Sequence, residues 1–388
     1  MAVRSLSAYV HVPFCSSRCG YCDFNTYTAS ELSRDDTKVS VQNYAQYVVR
    51  EIELTATNYD SPFANDSRHL ETVFFGGGTP TLLSAADLTR ILTSLESKFG
   101  LAETAEVTIE ANPDSVTADY LEELRSGGFT RISFGHQSSS PNVLQVLDRT
   151  HTAGRTWEAV QWAQSAGFLH ISVDLIYASP LETDADLELT LSELAAAPID
   201  HVSAYSLIVE PGTRMASRVN RGELPPPSDD VAAHRYEMIE RQLADLGFSW
   251  YEVSNWAKPG GECRHNIGYW RNQDWLGIGP GAHAHQDGLR RWNVKHPATW
   301  GQSINAGVLP IAGQEHLSPA DVRHEEVMLG LRLRSGLPLN QLSPGGRQEA
   351  ELAVREGLLE PLAFADGLAV LTYRGRLLAD GLVARFWD

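Results

Sequence analysis

Cys15, Cys19 and Cys22 lie in the run Tyr9-Val-His-Val-Pro-Phe-Cys-Ser-Ser-Arg-Cys-Gly-Tyr-Cys-Asp-Phe24, a C-x3-C-x2-C spacing. Three thiolates this close suit one face of an iron–sulfur cube and leave its fourth iron without a protein ligand. An open iron binds a small molecule, so the spacing points to reactivity as well as electron storage. Zinc is the competing reading, with His11 or Cys263 as fourth ligand. Zinc sites usually arrive as paired half-sites, and no second cysteine pair is present. Disulfides fit less well: 4 cysteines serve 388 residues, and no secretory apolar segment precedes them.

Composition narrows the class. A formal charge of −18 opposes a general affinity for nucleic acid, because phosphate binding needs a basic face. With 43% hydrophobic residues the chain has enough apolar material for a full core. No apolar run approaches the roughly 20 residues of a membrane-spanning helix. The expectation is a cytoplasmic protein, with peripheral contact to a membrane left open.

The elements that must position the cysteines alternate through residues 1–246. β-rich runs fall at Ser7–Val12, Thr72–Phe75, Glu106–Glu110, Arg131–Phe134, His170–Ile176 and His201–Leu207. Amphipathic segments separate them. Ser84 and Asp87 give a capping signal, followed by Leu88, Ile91, Leu92 and Leu95 on one helical face. Leu187, Leu191 and Leu194 make a second stripe. Trp157, Val160 and Gln164 mark a helix stopped by Gly167, and Tyr236, Ile239, Leu243 and Leu246 one stopped by Gly247. Such leucine stripes read as core packing. Six β-α units in series require parallel strands with right-handed crossovers. Six are too few to close an eight-stranded barrel, so the fold class is α/β, an open three-quarter (βα)6 barrel; a flat doubly wound sheet is the alternative.

In either fold the carboxyl ends of the strands line the site, and unusual polar residues occupy those ends. Strand two runs into Phe75-Gly-Gly-Gly-Thr-Pro-Thr81. Its glycines let backbone approach a ligand, offering N–H groups to a carboxylate or carbonyls to an ammonium. Strand three ends at Glu110, strand four leads to Gly135-His136-Gln137 with Arg149 beyond, and strand five carries Asp174. Carboxylates in such places match ribose hydroxyls.

Together these runs resemble the radical S-adenosylmethionine (SAM) superfamily and, within it, the HemN/HemW family of anaerobic coproporphyrinogen III oxidase-like proteins. The cysteine loop, Gly-Gly-Gly-Thr-Pro, Ile-Glu-Ala-Asn-Pro, Phe-Gly-x-Gln-Ser and Asp-Leu-Ile-Tyr occur in the family's order, from about residue 7 onward. The resemblance implies a 4Fe-4S cluster on Cys15, Cys19 and Cys22, with SAM chelating the fourth iron. It implies SAM contacts from Tyr9, Tyr21, Gly77, Gly78, Thr79, Glu110, Gln137, Arg149 and Asp174. The cofactor then supplies radical chemistry while the protein orients it and excludes water.

Three features separate the chain from the oxidases of that family. Phe24 stands where they carry a further cysteine, and only 14 residues precede Cys15, so their longer N-terminal extension is not seen. The run Cys263-Arg-His-Asn-Ile-Gly-Tyr-Trp270 contains an HNxxYW element similar to the signature of the HemW branch. Histidine is a common axial ligand of haem iron and Tyr269 and Trp270 offer flat faces, so His265, Asn266, Tyr269 and Trp270 are the candidate haem-binding residues. Without the resemblance, His265 reads as a hydrogen-bonded core or loop histidine. Cys263 is a second candidate ligand or an inert buried thiol, the latter favoured. His136 replaces the family's usual apolar residue; if strand alternation holds it faces away from SAM and is structural, and if the loop has already left the β conformation it reaches the cluster region and the carry-over to Gln137 is less secure.

After Pro310 the pattern changes. Ser318-Pro-Ala-Asp321 starts a helix carrying Val322, Leu329 and Leu333 and ending near Gly336. An Ala350–Glu356 helix, Leu359–Leu362 and Ala369–Leu371 strands and a closing helix through Phe386 follow, suggesting a small winged-helix-like domain. Ser318–Asp388 has 8 Lys/Arg against 10 Asp/Glu, a net charge of −2 that disfavours DNA and favours a cap over the barrel or a protein contact. The expected division is a radical SAM partial barrel at 1–246, a connecting region with the HNxxYW element at 247–310 and a HemN-type C-terminal domain at 311–388.

The resulting expectation is a haem chaperone that binds haem and transfers it to acceptor proteins, membrane-associated respiratory ones among them, without catalytic turnover. A homodimer is among the expected assemblies. The competing reading is an oxygen-independent coproporphyrinogen III oxidase, and a more distant one, radical modification of RNA, is opposed by the acidic charge.

Overall fold

The computed structural model describes residues 4–32, 39–64, 66–152 and 154–387. Its first six long strands are β1 (Leu6–Val12), β2 (Leu70–Gly77), β3 (Leu101–Ala111), β4 (Arg131–Gln137), β5 (His170–Tyr177) and β6 (His201–Ser206). They pair in chain order, every neighbour parallel. Each expected strand is present; the first five are extended by one to several residues and the sixth stops one residue short, at Ser206. The sheet runs on in a linear order rather than returning to its first strand, so the barrel is open.

Alternation along the strands explains which side does what. Leu6, Ala8, Val10 and Val12 of β1 are fully buried among aliphatic neighbours and helices. Ser7, Tyr9 and His11 take the other face, where polar groups bond across strands. Thr72 donates to Ser7 Oγ at 2.9 Å, Arg131 meets Glu106 at 3.1 Å, and Ser133 donates to Asp174 Oδ1 at 3.0 Å. The barrel interior is therefore a polar, hydrogen-bonded column, and the aliphatic core lies between sheet and helices.

The helices follow the stripes read from sequence. Ser84 caps Ala85–Phe99 by accepting from the Asp87 N–H, and Leu88, Ile91, Leu92 and Leu95 are buried. Arg155–Ala166 ends at Gly167 in the left-handed conformation, φ 84°. Asp184–Ala195 buries Leu187, Leu191 and Leu194, and Asp229–Asp245 buries Tyr236, Ile239 and Leu243.

Residues 249–316 add six strands to the same sheet, which local periodicity did not announce. β7 (Ser249–Glu252) and β8 (Asn255–Ala257) extend it antiparallel beyond β6. On the opposite side β9 (Asp274–Ile278) lies parallel to β1, followed by β10 (His283–Gln286), β11 (Leu289–Asn293) and β12 (Ile311–His316). β1 is thus an interior strand, flanked by β2 and β9.

The C-terminal segment has its own apolar cluster, which includes Val327, Leu331, Leu337, Leu359, Leu371 and Phe386. Ser318 and Asp321 form a reciprocal capping box on Pro319–Gly330. That helix ends six residues earlier than expected and buries Val327 rather than Val322 or Leu329. The expected Leu359–Leu362 strand is a single bridge from Leu359 to Leu371; Pro361 starts a short helix, Pro361–Ala365, in its place. Leu337–Pro338 and Leu368–Ala369 form the two-stranded ladder. No helix among the described residues is long and apolar enough to cross a membrane.

Candidate functional site

Strand β1 delivers the chain to the barrel mouth, where Phe14–Cys15 pairs with Tyr27–Thr28 and ties the ends of the cysteine loop together. Midway the loop is pinned from outside: Gly20 N–H donates to Leu147 O at 3.1 Å, and Met215 N–H donates to Gly20 O at 2.8 Å. Arg18 bonds the Thr26 carbonyl within the loop. Cys15, Cys19 and Cys22 are free, half-buried thiols lining one cavity of about 440 Å³. Burial pushes the Cys15 thiol up to about 11 and raises Cys22 as well, so both carry protons that metal capture releases.

The triglycine end of β2 forms the wall beside that loop. A Cβ on Gly78 would lie 2.4 Å from Phe14 O and 3.0 Å from Cys15 Sγ, and Gly77 has φ 113°. All three N–H groups here are taken. Gly77 donates to Glu110 Oε2 at 3.1 Å, Gly78 to Val12 O at 2.8 Å and Thr79 to Phe14 O at 2.7 Å. Of the two expected modes, binding a carboxylate through N–H groups is closed, and the carbonyls remain to accept from an ammonium.

Glu110 and Asp174 lie in the same cavity at the ends of β3 and β5. Burial, with Asp174 nearby, pushes Glu110 up to about 8, and burial pushes Asp174 up to about 6 against hydrogen bonds from Ser203 and Ser133. Two proximal carboxyls that resist ionising together suit a ligand with paired hydroxyls. Gln137 reaches the cavity through a bulge: the β4–β5 register slips between Gly135 and Gln137, and Gln137 has φ 67°. Arg149 Nη2 donates to Gly135 O at 2.5 Å, and Nη1 to Cys19 Sγ at 3.5 Å. Tyr21 and Thr79 complete the lining.

Tyr9 does not line this cavity; it sits one layer deeper and bonds His11 Nδ1 at 2.9 Å. His11 Nε2 lies 2.9 Å from the Asn25 carbonyl, which only accepts, so Nε2 carries the proton. Burial lowers the His11 pKa, leaving the ring neutral and Nδ1 free to accept from the Tyr9 hydroxyl. With both nitrogens used, His11 is not placed to be a fourth metal ligand. Cys263 is buried at the other end of the barrel, beside Glu106 at 3.5 Å.

His136 points to the helix side, as alternation required. Its Nδ1 bonds Thr156 Oγ1 at 3.0 Å and its Nε2 bonds Ser139 Oγ at 2.9 Å. Burial beside His151 and Arg149 lowers its pKa to about 3. Residues that the strand-end rule should also have flagged, Tyr205, Leu207 and Ile208 at the end of β6, line the cavity mouth together with Phe24. The run Ala204-Tyr-Ser-Leu-Ile208 carried the signal.

The HNxxYW element folds as the helix Arg264–Trp270. Glu106 holds its start, accepting from the backbone N–H groups of Arg264 at 3.2 Å and His265 at 3.0 Å while paired to Arg131. His265 is buried inside the barrel and stacked on Phe74. Its Nδ1 lies 2.6 Å from Thr72 Oγ1 and its Nε2 2.9 Å from Tyr269 OH. Burial lowers its pKa to about 4. Asn266, Tyr269 and Trp270 are half-buried on the same helix. In this conformation His265 presents no free nitrogen to a haem iron.

Residues 9–194 match the family described as the radical SAM superfamily. A protein named "Heme chaperone HemW" from Mycobacterium tuberculosis is 46% identical over 383 residues, covering 99% of this chain and 95% of that protein. The Bacillus subtilis protein of the same name is 31% identical, covering 98% of each chain. The chain belongs to the HemW heme chaperone family. Its fold is similar to that of coproporphyrinogen III oxidase (HemN) from Escherichia coli, with a TM-score of 0.82 at 23% identity over 100% of this chain and 91% of that one. For a HemW family member, radical SAM membership implies a 4Fe-4S cluster and SAM. The residues fit both: three free thiols share one cavity, Gly77 and Gly78 line it beside them, and the buried Arg149 Nε has no protein partner among the described residues.

Proposed function

We propose that this chain carries haem as cargo and passes it to acceptor proteins, with a 4Fe-4S cluster held by Cys15, Cys19 and Cys22 and SAM seated beside it. Near full-length similarity to proteins named heme chaperones is the observation that carries this reading. Phe24, 64% exposed at the cavity mouth, supports it by putting an apolar ring where the family's oxidases place a further cysteine.

A bound cluster supplies an electron or a Lewis-acidic iron to the sulfonium cofactor. The remaining roles belong to the chain. The carbonyls of the Gly77–Thr79 wall accept from the SAM ammonium. Glu110 and Asp174 take the ribose hydroxyls, and Gln137 and Tyr21 bracket the nucleoside. Arg149 holds Cys19 against the end of β4. Tyr9, through His11, fixes the strand that carries the loop. The partial barrel of 1–246 keeps this machinery, 247–310 brings the HNxxYW helix, and 311–388 forms the cap. Haem ligation by His265 requires the hydrogen bond on one of its two ring nitrogens, to Thr72 or to Tyr269, to break, so no iron ligand is assigned from that element.

The test is anaerobic. Reconstituted protein is titrated with ferric haem and, separately, incubated with SAM, reductant and coproporphyrinogen III. Stoichiometric haem uptake without porphyrinogen turnover supports the chaperone reading; protoporphyrinogen formation overturns it in favour of the oxidase.

A further inference from the structure

Thr26 lies four residues beyond Cys22, where the cysteine loop returns to the bridge between Phe14–Cys15 and Tyr27–Thr28. Its backbone is fixed on both sides. The Thr26 N–H donates to Phe24 O at 2.7 Å, Arg18 bonds its carbonyl, and the next N–H, of Tyr27, donates to Pro13 O at 2.7 Å. The residue is 2% exposed, and its buried Oγ1 has no hydrogen-bond partner among the described residues. Buried polar atoms are rarely left unsatisfied without a ligand, water or ion to complete them.

The sulfurs of Cys15 and Cys22 lie beside this hydroxyl, which eases the ionisation of both thiols. A thiol is a weak acceptor, whereas a metal-bound sulfur is a thiolate and accepts strongly. The unspent donor therefore faces two atoms that become good acceptors only when metal binds. Other donors already meet the three sulfurs. Arg149 Nη1 reaches Cys19 Sγ at 3.5 Å, the Phe24 N–H serves Cys22, and the Thr79 hydroxyl serves Cys15. Thr26 differs in standing against two of them with no oxygen or nitrogen acceptor competing for its proton.

We propose that Thr26 tunes the cluster, its hydroxyl donating to the metal-bound sulfur of Cys15 or Cys22 and so stabilising the reduced state. This rests on the cluster reading above and adds a residue that sets the redox poise of that site. A hydrogen bond to a ligand sulfur draws electron density from the iron and favours the more negative state. A cluster eased toward reduction in this way gives its electron to a bound sulfonium less readily, which suits the carrier proposed above.

The experiment reconstitutes the full chain anaerobically as wild type, Thr26→Val and Thr26→Ser and measures the cluster potential by EPR-monitored redox titration. Thr26→Val deletes the hydroxyl and keeps the branched shape; Thr26→Ser keeps the hydroxyl. The expected result is a one-electron reduction equilibrium about three- to tenfold less favourable in Thr26→Val and within about twofold of wild type in Thr26→Ser. Urea denaturation of the cluster-free chains separates this from a structural role. A hydroxyl without a partner stabilises nothing there, so Thr26→Val is expected to be at least as stable as wild type. Cluster assembly in Thr26→Ser but not in Thr26→Val likewise supports a contact made by the hydroxyl. A wild-type potential in Thr26→Val overturns the assignment, as does an equal fall in Thr26→Ser, failure of both variants to assemble a cluster, or a cluster-free Thr26→Val less stable than wild type. Wild-type protein that assembles no 4Fe-4S cluster overturns the cluster reading with it, whereas a loaded wild type beside an unmoved variant removes Thr26 alone.

Discussion

Arg149 bonds the sulfur of Cys19, its Nη1 donating at 3.5 Å while Nη2 holds the Gly135 carbonyl. A fixed positive charge beside one thiolate favours the reduced, more negative state of a cluster bound there. Replacing Arg149 by Met removes that charge. The cluster's reduction potential is expected to fall by tens of millivolts, on the order of the 59 mV that marks a tenfold change in a one-electron couple. An EPR-monitored redox titration measures it; a potential equal to wild type removes Arg149 from the electrostatics of the site.

Glu110 makes stability depend on pH with a definite sign. Its folded-state pKa of about 8 lies above the ordinary value of 4.5, so the native chain keeps a proton that the unfolded chain releases. The contribution of Glu110 to the stability of the cluster-free, SAM-free protein is therefore full below about pH 4.5 and is lost as pH rises through about 8. Glu110→Gln is expected to flatten that part of the curve and weaken SAM binding. Thermal midpoints across the range, with SAM titration at neutral pH, decide it; an equally steep slope in the variant assigns the effect elsewhere.

Gly78→Ala places a methyl group 2.4 Å from the Phe14 carbonyl, and backbone cannot move aside as a flexible side chain does. The expected cost is about 1–3 kcal/mol, with cluster content reduced because the displaced segment leads into Cys15. Urea denaturation and iron analysis measure the two effects. Unchanged stability and iron content in the variant is the contrary result.

Glu182 and Arg235 form an ion pair at 2.7 Å with side chains 1% and 5% exposed. Glu182→Ala leaves the guanidinium buried, held by the residue-182 backbone carbonyl and by Asp184 3.5 Å from its Nε but without its paired carboxylate, and is expected to cost about 3–5 kcal/mol. Double substitution with Arg235→Leu is expected to recover part of the loss. A single variant as stable as wild type contradicts the pairing.

His265→Ala removes the partner of both Thr72 and Tyr269 and empties the space against Phe74. In haem-free protein the expected loss is about 2–4 kcal/mol by urea denaturation. A variant of undiminished stability indicates that the ring lies outside the barrel in solution.

The six parallel strands and most site positions were legible because they depend on local signals: apolar runs, caps, and polar residues at strand ends. Cys15, Glu110, Gln137 and Asp174 reach one cavity because consecutive strand ends converge there. What was not legible depends on distance in the chain. β9 pairs with β1 from 268 residues away, Leu6 facing Asp274, and no periodicity in Asp274–Ile278 names that partner. The HNxxYW motif suggested a haem ligand and, without the resemblance, a hydrogen-bonded core or loop histidine; the environment of His265 is set by Thr72 and Glu106, neither of them near it in sequence. The Gly77–Thr79 wall showed its proximity to a ligand but not that neighbouring acceptors already held its N–H groups. In the C-terminal segment, Leu359–Leu362 looked extended until Pro361, a favoured first residue of a helix, turned the chain.

The position of β1 between β2 and β9 has a temporal consequence. On the ribosome the strand beneath the cysteine loop acquires its second neighbour only after some 270 further residues have been made. Long-range pairing of that kind is slow to be rewarded during folding. On the proposed reading, iron delivery to the loop therefore belongs late in the life of the nascent polypeptide, once the distant hairpins have arrived to brace it.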